Sequence, residues 1–140
     1  MSEQKFHVGV KALILNEKNE ILILKKSHKP YHWDLPGGRI KQGDDINTTL
    51  KKEIKEELGA NEIEIISHFD VGLSNLGVSD GNEKLGLVLL VYRCRLGTKK
   101  KFSLNAEHTE YKWVSVDEAK KLLSTKFHKA FIDKLDRLKK

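Results

Sequence analysis

Three glutamates crowd one short stretch of the chain. Residues 52–57 read Lys-Glu-Ile-Lys-Glu-Glu, so Glu53, Glu56 and Glu57 lie three, four and one positions apart. On a helix they fall within an arc of about 100°, where like charges repel by roughly a few tenths of a kcal/mol per pair. A hard divalent cation would relieve this repulsion, because Mg²⁺ binds carboxylate oxygens and keeps positions open for water and phosphate. The alternative is a solvated helix face paired with lysines, and the helix alone leaves both open.

The glutamates require a helix that holds them in place. One apolar residue every four positions predicts a helix over about residues 45–58. The apolar residues are Ile46, Leu50, Ile54 and Leu58. Asp44 or Asp45 can cap its start, and Gly59 stands where a C′ glycine ends a helix.

The remaining elements predict an α/β layered domain with a mixed sheet. Alternating or continuous apolar residues predict strands at 6–15, 21–24, 33–35, 63–66, 85–92 and 111–114. We interpret the first two as a hairpin, and 73–84 as a long polar loop. Ser115 and Glu118 form a capping box for a short helix. A final helix then carries the apolar residues Phe127, Phe131, Leu135 and Leu138.

A glycine turn, Pro36-Gly37-Gly38, precedes the acidic helix across a loop that Gly43 closes. Glycine lets the main chain approach a ligand or a metal closely. Together with three carboxylates on one helix, this turn favours a metal site over a solvated acidic face.

At this point the sequence resembles the Nudix hydrolase signature, G-x5-E-x7-R-E-U-x-E-E-x-G-U, in which U is a bulky aliphatic residue. Here Gly38 is followed by five residues, Asp44, seven residues and then Lys-Glu-Ile-Lys-Glu-Glu-Leu-Gly-Ala, residues 52–60. Residues 33–38, Trp-Asp-Leu-Pro-Gly-Gly, match a lead-in common in the family. A spaced match of this length is a far stronger signal than a lone glycine motif.

Three positions depart from the signature. Asp44 replaces glutamate, Lys52 replaces arginine, and Ala60 replaces a larger aliphatic residue. In the family the glutamate and the arginine mainly orient the metal-binding helix and its loop. Asp44 keeps the charge with a shorter reach, and Lys52 keeps the charge without the planar fork. We expect weaker orientation of the helix rather than loss of chemistry.

The resemblance implies a Nudix-type α/β/α sandwich with a mixed central β-sheet and a metal-binding helix, in one domain over residues 1–140. It implies a bound Mg²⁺, with Mn²⁺ as the alternative ion. The implied metal ligands are Gly37 (through its carbonyl), Glu53, Glu56 and Glu57. Gly38, Asp44, Lys52 and Gly59 would support the motif structurally.

The resemblance also implies a base that takes a proton from the attacking water. The candidates are Glu53 and Glu107, with Glu110 as a neighbouring competitor. Arg39 and Lys11 are candidates for contacts to substrate phosphates.

Trp33 is a candidate for stacking on a base, although packing is the preferred interpretation. The loops 26–31 and 73–84 would select the substrate.

The expected function is hydrolysis of a diphosphate linkage in a nucleoside triphosphate or a related nucleoside diphosphate derivative, as in the MutT type. Dinucleoside polyphosphates, ADP-ribose and RNA 5′ ends are alternative substrates. A different class of protein, a non-catalytic nucleotide- or RNA-binding domain of the same fold, is also open.

Composition sets wider limits. The net charge of +6 suits anionic ligands as well as ordinary solubility, and the basic runs 99–101 and 137–140 are typical of solvated surface. Cys94, the one cysteine, excludes an intrachain disulfide and is interpreted as a buried, inert thiol. With neither a secretion signal nor a membrane span in the sequence, we expect a cytoplasmic monomer or homodimer that binds a small nucleotide.

Overall fold

The computed structural model describes residues 2–97 and 101–140, so Lys99 and Lys100 of the first basic run lie outside the described residues. The strands are β1 (Phe6–Ile14), β2 (Ile21–Lys26), β3 (Trp33–Asp34), β4 (Gly37–Arg39), β5 (Ile63–Leu73), β6 (Val78–Asp80), β7 (Glu83–Leu96) and β8 (His108–Val114). The helices are α1 (Ile46–Leu58), α2 (Val116–Leu122) and α3 (Lys129–Lys134). The 3₁₀ turns Leu123–Thr125 and Leu135–Leu138 follow α2 and α3.

The strands form two sheets. The larger has the order β4-β1-β7-β5, with β6 paired to β7, and the smaller has the order β3-β2-β8. β1 and β7 run parallel, while β4 and β5 pair antiparallel with their neighbours. The predicted mixed sheet is therefore confirmed.

The predicted hairpin of the first two strands is wrong. One isolated bridge joins Leu15 to Ile21, and beyond it β1 and β2 belong to different sheets. Both strands are buried on both faces. Two-sided burial identifies a strand in the sequence but says nothing about which strand it pairs with.

Two apolar cores cover opposite faces of β1. Leu13 packs in a core with α2, α3 and the aromatic rings of Phe127 and Phe131. Val10, Ala12 and Ile14 pack on the other side, in the core beneath α1. Because successive strand residues point to opposite faces, helices lie on both sides of the strands, and the α/β/α arrangement is confirmed.

The ends of α1 follow the predicted capping. Asp45 is the N-cap, and its carboxylate accepts a hydrogen bond of 2.7 Å from the Thr48 N–H. Gly59 ends the helix with φ 69°, and its N–H donates to the Lys55 carbonyl at 2.9 Å. Leu50, Ile54 and Leu58 of the apolar stripe are buried and Ile46 is partly buried against the same core, so α1 has a fixed rotation about its axis.

The predicted loop 73–84 is largely wrong. β5 continues to Leu73 because it pairs with β7 along its whole length. Val78–Asp80 then forms a hairpin with the start of β7, and Gly81 supplies the positive φ of 62° at its turn. A polar, half-exposed segment at a sheet edge therefore resembles a loop in the sequence.

The C-terminal predictions are confirmed in outline. The Ser115 hydroxyl accepts a hydrogen bond of 3.1 Å from the Glu118 N–H at the start of α2. The four apolar residues of the final segment are all buried, although α3 itself begins only at Lys129. None of the helices in the described ranges is both long and apolar enough to cross a membrane.

Gly59 provides a test of the helix end. Gly59→Ala places a Cβ in the left-handed region and should lower the free energy of unfolding by about 1–2 kcal/mol. Gly59→Asn is the matched control and should lower the free energy of unfolding by less, because asparagine tolerates this conformation. Guanidinium denaturation measures both, and equal losses would contradict a left-handed cap.

Candidate active site

A cleft of about 500 Å³ opens where β1, β4 and α1 meet the segments 26–32 and 76–78. Its lining carries five lysine and arginine side chains and two glutamates. The basic side chains are Lys11, Lys26, Arg39, Lys41 and Lys126, and the acidic ones are Glu53 and Glu107. The cleft therefore suits an anionic ligand, with the acidic groups collected at α1 and beside β8.

Glu57 is the buried carboxylate of α1. It is only 1% exposed, and its Oε1 accepts a hydrogen bond of 2.8 Å from the Gly37 N–H. Burial raises the pKa of Glu57 to about 8, even though Lys11 and the Gly37 hydrogen bond favour ionisation. An ionised carboxylate at this position would gain from a nearby cation.

The other two glutamates of the helix differ from Glu57. Glu53 is half-buried and lines the cleft. Burial raises its pKa, and the charges of Glu56 and Glu107 raise it further. Glu56 itself is exposed and lies outside the lining of the cleft. The three carboxylates that the sequence groups together therefore occupy three different environments.

Both glycines of the turn allow neighbouring segments to pack closely against the main chain. A Cβ on Gly37, whose φ is +146°, would lie 2.0 Å from the Val10 carbonyl oxygen. A Cβ on Gly38 would lie 2.4 Å from the Glu53 Cδ. β4 is thus held against β1 on one side and against the acidic helix on the other.

A second chain segment brings ligand atoms to Glu57. One ligand atom each from Glu57, Glu107 and His108 lies within 4.8 Å of the others. His108 is the first residue of β8 and is buried, and its Nδ1 has no hydrogen-bond partner in the part of the chain that the structure describes. Burial lowers the pKa of His108 to about 4, so the imidazole is neutral and has a lone pair to offer.

This arrangement includes one residue that the sequence reasoning missed. Nothing in the sequence links His108 to the acidic helix. The only signal was its position next to Glu107, a candidate base. Because β8 and α1 are far apart along the chain, the sequence does not show that they lie close together in the fold.

The phosphate-contact candidates both lie in the cleft. Arg39 is exposed in its lining. Lys11 is buried there, and its Nζ donates to Asp34 Oδ2 at 3.0 Å. Burial would lower the pKa of Lys11, but Asp34 and Glu57 raise it above the usual value. Asp34 and its second partner, Lys126, were not singled out from the sequence.

The remaining candidates lie outside the cleft lining. Trp33 packs against the core with α2 and α3, and the Lys112 Nζ lies 4.9 Å from the centre of its ring. Glu110 is exposed on β8. Asp44 and Lys52 form an ion pair at 3.1 Å, so two of the three substituted positions of the signature still link the loop to the helix.

With the fold and the site in place, comparison with known proteins identifies the class. The family model described as the NUDIX domain matches residues 5–135. The chain belongs to the Nudix family. It is a hydrolytic enzyme that acts on phosphorus-containing anhydrides.

Individual relatives support this assignment. An RNA pyrophosphohydrolase of Campylobacter jejuni is 29% identical over 128 residues, which cover 84% of this chain and 82% of the relative. An asymmetrical bis(5'-nucleosyl)-tetraphosphatase of Caenorhabditis elegans is 27% identical over 105 residues, which cover 75% and 74% of the two chains. The crystal structure of a MutT protein from Methanosarcina mazei superimposes with a TM-score of 0.71 at 26% identity, covering 99% of this chain and 96% of that one.

Gly38 provides a test of the close approach to Glu53. Gly38→Ala should displace the Glu53 side chain and lower the hydrolysis rate by about 100-fold, because a shift of about 1 Å has this effect in an active site. Gly43→Ala is the control. Its Cβ would meet nothing within 4 Å but would sit at φ +88°, so it should lower stability and leave the rate nearly unchanged. Equal rates for Gly38→Ala and wild type would contradict the prediction.

Cys94 provides a test of the inert thiol. It is 3% exposed in the core beneath α1, and burial raises its pKa to about 12. At pH 8 about one thiol in ten thousand is therefore the reactive thiolate. A disulfide reagent such as DTNB should label the native protein very slowly and the unfolded protein completely. Rapid labelling of the native protein would show that the thiol is accessible.

Proposed function

We propose that the chain hydrolyses a diphosphate linkage in the phosphate chain of a nucleoside triphosphate or related nucleotide, with Mg²⁺ as cofactor. The observation that supports this most strongly is the cluster of Glu57, Glu107 and His108 beside a cationic cleft. Hydrolysis of a polyphosphate requires both features: basic side chains along the phosphate chain and a divalent metal at the phosphorus that is attacked.

The residues present fit a divalent cation. Glu57 is a buried carboxylate that lacks a cationic hydrogen-bond partner among the described residues. His108 is buried with Nδ1 unsatisfied there. Glu57 and Glu107 offer the hard oxygen ligands that Mg²⁺ prefers, while His108 adds a nitrogen, which the hard Mg²⁺ ion accepts less readily than a transition metal ion does. Glu53, at the cleft surface, completes the acidic side of the site.

When bound, the cation neutralises phosphate charge and acidifies the water that attacks phosphorus. Glu53 lines the cleft, so it can accept the proton of that water. Lys11 and Arg39 lie in the same lining and hold the phosphate oxygens. The Gly37 N–H keeps the Glu57 carboxylate oriented.

The RNA 5′ end is a second candidate substrate. It is favoured by the similarity to an RNA pyrophosphohydrolase over most of both chains and by the net charge of +6. Because the chain is also similar to a tetraphosphatase, dinucleoside polyphosphates are a further group of substrates to test. The acidic cluster argues against a non-catalytic binding domain, since binding alone does not require it.

The test is phosphate or pyrophosphate release from a panel: nucleoside triphosphates, a dinucleoside tetraphosphate, ADP-ribose and RNA with a 5′ triphosphate. Each is measured with Mg²⁺, with Mn²⁺ and with excess chelator. We expect metal-dependent turnover of at least one polyphosphate. Absence of turnover on the whole panel with either metal would overturn the proposed function.

Site variants test the ligand assignment. Glu57→Gln keeps the shape of the side chain but removes the charge, and should lower turnover by at least about 100-fold. Glu62→Gln, on an exposed residue past the end of α1, is the matched control and should keep the wild-type rate. Unchanged turnover in Glu57→Gln would show that the metal site lies elsewhere.

A further inference from the structure

Asp34 stands at the centre of a buried ionic cluster in the cleft wall. It is fully buried, and its Oδ2 accepts hydrogen bonds from Lys11 Nζ at 3.0 Å and from Lys126 Nζ at 2.5 Å. Its Oδ1 accepts from the Leu35 N–H at 2.8 Å. Lys11 and Lys126 are themselves 5% and 7% exposed. One carboxylate thus serves two buried ammonium groups.

The cluster carries more positive charge than its own fold requires. Lys11 alone neutralises Asp34, and a second buried ammonium leaves an excess charge that is unfavourable away from water. Within residues 2–97 and 101–140, Asp34 is the one carboxylate that forms an ion pair with Lys126. Burial and the charge of Lys11 lower the pKa of Lys126 to about 8. An ion pair with only a structural role would need Asp34 and Lys11 but not Lys126.

Lys126 is also held in place by its main chain. The Asn75 N–H donates to the Lys126 carbonyl at 2.7 Å, and the Lys126 N–H donates to the Leu123 carbonyl at 3.3 Å. The bond from Asn75 ties the segment between α2 and α3 to the loop that follows β5. With its main chain fixed and its ammonium held by Asp34, Lys126 is preorganised to bind an anion.

Lys11 and Lys126 have different surroundings in the cleft wall. Besides Asp34, Glu57 and Glu53 act on the pKa of Lys11. The charges that act on the pKa of Lys126 are Lys11, Asp34 and Lys26. The contacts agree with this: Lys11 pairs in register with Gly37, whose N–H donates to Glu57, whereas Lys126 is linked to Lys11 through the Asp34 carboxylate that both bind.

We propose that Lys126 binds a phosphate group of the substrate that is remote from the hydrolysed linkage, with Asp34 holding its ammonium in position. The ligand identity rests on the proposed function. The substrate would then carry a chain of three or more phosphates, one end at the acidic site and the other at Lys126. The anion supplies the negative charge that the cluster lacks.

Binding of inorganic tripolyphosphate to the metal-free protein, measured by calorimetry, tests this without any turnover. Lys126→Met should weaken binding about tenfold or more, as expected for the loss of a charged hydrogen bond. Lys126→Arg should retain most of the affinity. Lys129→Met makes the same charge change three residues away on an exposed side chain, and should bind within twofold of wild type.

Thermal unfolding separates this role from a structural one. Lys126→Met leaves the neutral Lys11–Asp34 pair, so its Tm should equal or exceed that of wild type while its affinity falls. A lower Tm together with wild-type affinity would overturn the proposal, as would absence of tripolyphosphate binding to the wild type.

If Lys126→Met does not fold, the proposal is tested by NMR on wild-type protein with ¹³C-labelled lysine. The Lys126 Cε resonance, assigned by its loss in Lys126→Arg, should shift on addition of tripolyphosphate. No shift at saturation would overturn the proposal. Because none of these three experiments involves hydrolysis, a failure of the proposed function would appear separately, in the nucleotide panel.

Discussion

The hydrogen bond between the Gly37 N–H and the buried Glu57 carboxylate is the contact on which the rest of the site depends. It joins β4, and through β4 the strand β1, to the acidic helix α1. The contact requires backbone close to a helix face, which only glycine permits at residues 37 and 38. The buried stripe of α1 then sets the rotation that turns Glu57 inward and leaves Glu56 in solvent. A helix turned by one residue would exchange these environments.

Opposed charges share the cleft and lie close together. The carboxylates Glu53 and Glu107 lie on α1 and just before β8, and basic side chains from several other segments line the same cleft: Lys11, Lys26, Arg39, Lys41 and Lys126. Lys11 lies between the two sets, close enough that both Asp34 and Glu57 act on its pKa. An anion together with a cation would compensate both sets of charges, whereas an uncharged ligand would compensate neither.

Local sequence signals predicted the helices and strands well and the pairing of strands poorly. Asp45, Gly59 and the stripe from Ile46 to Leu58 predicted α1 almost to the residue, because caps and periodicity act within a few positions. The hairpin of β1 with β2 failed because both strands are buried on both faces, and the neighbours of β1 come from distant parts of the chain. The loop at 73–84 failed because β5 and β6 form only by pairing with β7.

The sequence by itself determined the class of chemistry: three glutamates on one helix, a glycine turn before them and the spacing between the two. Tertiary structure decided which groups share the site. His108 and Glu107 reach Glu57 only because β8 lies next to β2 in the folded sheet. Lys126 reaches Asp34 across 92 residues. Such contacts depend on the packing of whole elements, which no local pattern encodes, whereas the acidic helix and its glycine turn follow from residues close together in the chain.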